Sequence, residues 1–411
     1  MRNLDTNDLK GFQPLTAITA LETAKSDPLS SLSALDRDRF LAFGWGPTLR
    51  PRFPTIADAM LHQMRTFPDA VAACEMDQDL SYGDLDKASD RLACLLRAKG
   101  VGRGDAVCLF LRRSLEMVVG IAAVMKLGAI YVPQHVGIAP TETLRHIAGV
   151  TGSKVILTLS DLADQVPAQT GQSLIAIDTV LQHPATRQSE PPVAASPAQP
   201  QDIAMILFTS GTTGVPNGVQ VTHGNLANIL LTSPGDLGMR PGSRVGQILS
   251  IAFDMAAWET LGALSNGATL VIRGKSIQQT AETVDILIAT PSILNSIDAS
   301  RCHQVKTVAV AGEPCPRPLA DSWSAFCTFY NSCGPTETTI INTAEPHQPT
   351  KPVLSIGRPT PNNTVYVLDD DLRPLPIGQK GEMWAGGDCV TAGYLDNPDL
   401  TADRYRPDPF R

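Results

Sequence analysis

Several things are missing from these 411 residues, and each absence narrows what the chain does. No apolar run is long enough to cross a bilayer. The best candidate, Met117–Met125, is stopped by Lys126, well short of the roughly 18 apolar residues a spanning helix needs. Positive charge is in deficit, with 33 Lys and Arg against 41 Asp and Glu and a net charge of −8, so a nucleic-acid surface is disfavoured. The eight cysteines are scattered without a CxxC pair, which removes the usual zinc and disulfide frameworks. The first residues, MRNLDTNDLKGF, carry no apolar secretion core. A reduced, cytoplasmic protein is expected. The most specific absence is local. Residues 208–219 read FTSGTTGVPNGV, a Ser/Thr/Gly segment directly after the apolar run 203–207, yet no Lys completes a GxxxxGK[ST] pattern. This is not a Walker A loop.

What is present is enough apolar material, 43% of residues, for two or three domains. LSALDRDRFLAF reads as an amphipathic helix, followed by a Pro-rich linker. From Thr55 short buried runs alternate with helical spacing. AVCLFL (106–111) precedes SLEMVVGIAAVMKLGA (114–129). KVILTL, LIAID and IAMILF follow, then VGQILSI, ATLVIRG, VDILIATP and VKTVAVAG. A helix is expected from His223. Residues 184–201 are Pro/Ala/Ser/Gln-rich and read as a loop. Alternation of this kind predicts an α/β fold, parallel sheets flanked by helices. Beyond Gly357, TVYVLDDDLRPLP and KGEMWAGG have period-2 patterning and predict a smaller antiparallel, β-barrel-like unit.

The 208–219 segment suits an anion. A strand, a Gly-rich turn and a helix present backbone N–H groups, and Gly211, Gly214 and Gly218 permit unusual conformations. Thr209, Ser210, Thr212 and Thr213 add hydroxyls. Alone, the segment reads more readily as an ordinary surface turn. Three further segments change the balance: FDMAAWE (253–259), NSCGPTE (331–337) and GEMWAGGDCVTAGYLDNPDLTADRY (381–405). In this order and spacing, with TSGTTGVPNGV, they resemble the core motifs of the adenylate-forming superfamily. The likeness is greatest to adenylation domains of non-ribosomal peptide synthetases and covers roughly residues 50–410.

The resemblance implies the large N-terminal lobe of such a domain. Residues 1–50 become a linker from a preceding domain, 51–356 the α/β core in two sheet subdomains, and 357–411 the β subdomain. The small C-terminal lobe, with its catalytic Lys, and the ribose-binding Asp lie beyond the chain. The implied reaction joins an amino-acid carboxylate to the α-phosphate of ATP and passes the acyl group to the phosphopantetheine thiol of a carrier protein, among neighbouring synthetase domains. Thr209–Gly214 would grip the β- and γ-phosphates, with Asn217 where the family usually has Lys. Thr336 would meet the α-phosphate and Glu337 would hold Mg²⁺. Asn331 would bind the adenine amino group. Cys333, where a Tyr normally stacks, and Gly312-Glu313-Pro314 would wall the adenine slot. Phe253 would gate the pocket and Asp254 would bind the substrate ammonium. Met255, Trp258, Ala289, Ala309, Ala311, Ser332, Ile340 and Ile341 would line the side-chain pocket. Its small walls favour a large substrate. Likeness to fungal hydroxamate siderophore synthetases points to an acylated N5-hydroxyornithine. An acyl- or aryl-CoA ligase, and a binding lobe without turnover, are the alternatives. His223 is given no role.

Overall fold

The computed structural model describes residues 27–182, 196–209 and 214–410. Its strands, in chain order, are β1 (Val71–Glu75), β2 (Gln78–Ser81), β3 (Ala106–Leu111), β4 (Ile130–His135), β5 (Val155–Thr158), β6 (Ser173–Ala176), β7 (Ile203–Thr209), β8 (Asn217–Thr222), β9 (Arg244–Gln247), β10 (Thr269–Ile272), β11 (Ile286–Ala289), β12 (Thr307–Val310), β13 (Thr328–Cys333), β14 (Thr343–Pro346), β15 (Arg358–Pro359), β16 (Asn363–Leu368) and β17 (Glu382–Gly387). Six form one sheet in the order β6-β5-β3-β4-β7-β8, and nine form a second in the order β15-β14-β13-β12-β11-β9-β10-β1-β2. The interior pairs are parallel, while β2, β8, β14 and β15 join antiparallel at the edges.

The apolar runs explain this. β3 and β5 are buried almost throughout, as strands covered on both faces must be. The helix Leu115–Lys126, capped by Ser114 Oγ accepting from the Met117 amide, is buried on nearly every side. Its last residue, Lys126, is 1% exposed and reaches Asp86 and Asp90 of the helix Tyr82–Ala98, both at 2.6 Å. A buried ammonium is tolerable only when paired in this way. The helix Asp254–Ser265 is buried from its second residue to its last and packs on β9, β10 and β11. That packing fixes its N-terminus at the carboxyl end of the nine-stranded sheet.

The small antiparallel unit is the pair β16–β17. The helix Ala34–Gly44 closes over it: Phe40 stacks on Tyr366 at 5.3 Å, and Trp45 and Phe410 meet the same ring edge-on or tilted. Among the described residues, no helix is long and apolar enough to cross a membrane.

Candidate active site

The described ends of the Ser/Thr/Gly segment belong to a hairpin. β7 and β8 pair antiparallel, with Thr209 opposite Asn217. This corrects the strand–turn–helix expectation. NGVQVT is a strand, and the helix His223–Leu230 starts only after it, closed by a reciprocal Thr222–Asn225 capping box. The helix start at His223 is thus separated from Asn217 by the whole of β8. Thr209 ends β7, its Oγ1 3.5 Å from the Asn217 carbonyl. Gly214 has φ +80° and open space around it, as a left-handed glycine at a loop end should. Gly218 is needed for another reason: it lies in β8, and a Cβ there would sit 2.9 Å from Ile206 Cγ2. Ser210, Gly211, Thr212 and Thr213 lie outside the described residues.

The NSCGPTE segment leaves β13 and turns sharply. A Cβ on Gly334 would lie 2.5 Å from Ile341 Cα, so the chain returning toward β14 passes directly against it. One 3₁₀ turn, Thr336–Thr338, is followed by Thr339 and Ile340 at φ 54° and 71°. A β-branched residue there is strained and must be held by its surroundings. Thr339 is fully buried, and its Oγ1 donates to the Cys389 carbonyl at 2.7 Å. The turn presents Glu337, whose Oε1 accepts from the Tyr394 hydroxyl at 2.6 Å and whose carbonyl accepts from the Thr391 amide at 3.0 Å. Burial, then Glu337, push the Tyr394 phenol well above its ordinary range, so it stays a donor.

Asn331 Nδ2 donates to the Ser355 carbonyl at 2.8 Å, which turns Oδ1 to accept, the polarity an exocyclic amine requires. Cys333 follows it, half-buried, its thiol raised by desolvation. Gly312 leaves β12 with φ +85°, and Glu313 is pinned by accepting the Ser292 amide at 3.0 Å and its hydroxyl at 2.5 Å. Pro314 follows in the same loop.

Asp254 is the first residue of its helix, with Phe253 as a non-bonding N-cap exposed at 65%. Burial pushes its carboxyl up to about 6; a hydrogen bond from Thr336 and the helix amides oppose this, and the nearby Glu337 charge adds to it. Asp254, Thr336 and Glu337 thus form one electrostatic unit. Met255 is buried beside Gly312, where an added Cβ would be 3.8 Å from its Sδ. Trp258, fully buried, donates Nε1–H to the Gly235 carbonyl at 2.6 Å.

Register pairs Ala309 with Tyr330 and Ala289 with Val310. Alternation along the strands then puts Ala309, Ala311 and Ser332 on one face and Ala289 in the other phase. Ile340 and Ile341 are buried where the chain returns toward β14. A residue the sequence reading missed joins them. Asn342, fully buried, shares the Ser332 face through the β13–β14 register. Among the described residues, Ser332 Oγ and both polar atoms of Asn342 have no hydrogen-bond partner. Buried polar groups are rarely left so.

No three His, Cys, Asp or Glu converge on a metal among the described residues. Glu337 instead offers one carboxylate, which suits a magnesium ion that arrives with phosphate oxygens.

A family model described as AMP-binding enzyme matches residues 60–395. An adenylate-forming reductase of Coprinopsis cinerea is 44% identical over 94% of this chain and 38% of its own length. The phosphinothricin tripeptide synthetase PhsC of Streptomyces viridochromogenes is 34% identical over 86% of this chain and 33% of its own length. The chain spans about two fifths or less of these curated relatives. Among solved structures, the N-terminal subdomain of Klebsiella oxytoca NpsA superposes with TM-score 0.76 at 26% identity, covering 87% of this chain and 93% of that one. The non-ribosomal peptide synthetase FmoA3 gives TM-score 0.82 at 25% identity over 92% and 42%.

Proposed function

Because the chain belongs to the AMP-binding, adenylate-forming enzyme family, we propose that it activates the carboxylate of an α-amino acid with ATP. The substrate oxygen attacks the α-phosphorus, pyrophosphate leaves, and the acyl adenylate then passes its acyl group to a carrier thiol, releasing AMP. Both reactants are anionic, so the residues' task is neutralisation and alignment. Loop hydroxyls and amides at 209–214 take the phosphate tail. Glu337 would hold the magnesium that neutralises it, and Asn331 and the Gly312–Pro314 loop take the base. The observation that carries the amino-acid reading is Asp254, a single carboxylate electrostatically coupled to Thr336 and Glu337. It would bind an ammonium beside the reacting carboxylate.

The pocket supports a large side chain with neutral hydrogen-bonding groups. Ala309 and Ala311 are small walls, and Ser332 and Asn342 bring neutral polar atoms to the same face. An acylated N5-hydroxyornithine has that length and polarity. Pyrophosphate exchange with the full protein across amino acids, hydroxamates included, tests this. Exchange that is best with acids lacking an α-amino group overturns it and favours an acyl- or aryl-CoA ligase.

A second reading concerns the later step. Identity is higher to an adenylate-forming reductase, 44%, than to the phosphinothricin tripeptide synthetase, 34%. Under this reading the carrier-bound acyl group is reduced by a hydride donor rather than condensed. Product analysis of the full protein with a hydride donor distinguishes the two.

A further inference from the structure

One short segment touches both halves of the proposed nucleotide site. Residues 391–397 run antiparallel to β8, the outgoing arm of the loop hairpin. The Ala392 amide donates to Gln220, the Gln220 amide to Gly393, and the Leu395 amide to Gly218, at 2.9, 3.0 and 2.8 Å. At its end Asn397 Nδ2 lies 3.4 Å from Asn217 Oδ1, at the foot of the loop. From the middle of the same segment Tyr394 reaches Glu337. Its ring meets Tyr405 edge-on at 5.8 Å, and Tyr405 in turn bonds Thr391 at 2.6 Å, which restricts where the phenol can go. Glu337 stands on a single 3₁₀ turn and has no helix or strand of its own to aim it. Its direction comes from Tyr394 and from the Thr391 amide on its carbonyl.

We infer that Tyr394 is a positioning residue that holds the Glu337 carboxylate toward the metal-bound phosphates, and that 391–397 ties this carboxylate to the phosphate hairpin. The inference rests on the nucleotide reading above. One carboxylate oxygen accepts the phenol, leaving the other for a cation. Partners of this kind commonly set metal affinity by 10- to 100-fold, about what removal of the hydroxyl should forfeit.

The test is calorimetric titration of ATP into the 411-residue chain with and without Mg²⁺, for wild type, Tyr394→Phe and Glu337→Gln. Tyr394→Phe loses one oxygen and keeps the ring contact; a melting curve checks that it is folded. The expected result is an approximately 10-fold rise in the half-saturating Mg²⁺ for tight ATP binding, with metal-free ATP affinity unchanged, and complete loss of the Mg²⁺ effect in Glu337→Gln. Equal weakening with and without Mg²⁺, or an unchanged Mg²⁺ requirement, overturns the positioning role. Failure of wild type to bind ATP, or to respond to Mg²⁺, overturns the nucleotide reading instead.

Discussion

Glu259 accepts the backbone amide of Ile248 at 2.9 Å, from a position with no solvent exposure. It also accepts the Leu249 amide and Gln247 Nε2. Burial drives its carboxyl well above the ordinary range, only partly offset by those amides and by Arg113. The residue stands five positions after Asp254 on the same helix and ties that helix to the chain entering the Phe253–Asp254 corner. It therefore braces the proposed ammonium site without touching substrate.

Glu259→Leu should remove the acceptor of the Ile248 and Leu249 amides and leave both unsatisfied in the interior. A loss of about 1–3 kcal/mol is expected. Urea unfolding measures it, and an undiminished midpoint would refute the bracing role.

Asp254→Asn should remove a charge-assisted contact of about 1.5–3 kcal/mol, or roughly 10- to 150-fold in amino-acid affinity. The des-amino analogue of the same substrate should be unaffected. The measurement is the ratio of the two affinities in both proteins. A ratio that survives the substitution would show that Asp254 does not read the amine.

Lys126→Met should be costly although it puts an apolar side chain in a buried place. It leaves the Asp86 and Asp90 carboxylates, side chains 33% and 18% exposed, facing each other without their cation. A loss of about 3 kcal/mol is expected. Adding Asp90→Asn should recover part of it. Thermal melts of the single and double variants suffice, and additive losses would contradict the pairing.

The parallel strands were legible because their burial on both faces leaves continuous apolar runs, as in AVCLFL and KVILTL. β8 escaped because Asn217 and Gly218 read as turn residues. Its true signal was the alternation of Val219 and Val221, both fully buried, around the half-buried Gln220. β15 has only two residues and no pattern to find. The site divides similarly. Asp254, Thr336 and Glu337 sit in short motifs, and the fold brings them into one electrostatic group. Tyr394 stands in the 381–405 motif but lies 57 positions from Glu337, and Asn342 is polar in an apolar context; the partner of each is set by what packs opposite, which no local pattern shows.

His223 supplies the pH dependence. It is fully buried at the start of its helix, neither ring nitrogen has a partner among the described residues, and burial lowers its pKa to about 4 against the opposing pull of Asp202. In the unfolded chain it titrates near 6.5. Above 6.5 both states hold the neutral ring and nothing is lost. Below it the unfolded state takes up a proton that the folded state refuses until about pH 4. Stability should therefore fall as pH drops through that window, by about 3 kcal/mol at its lower end. Other groups titrate there too, so the diagnostic quantity is a difference. Unfolding free energies of wild type and His223→Leu, measured at steps from pH 7 to pH 4.5, should converge or cross as the pH falls. Parallel curves would mean that the imidazole is solvated or partnered in solution and is not a buried neutral base.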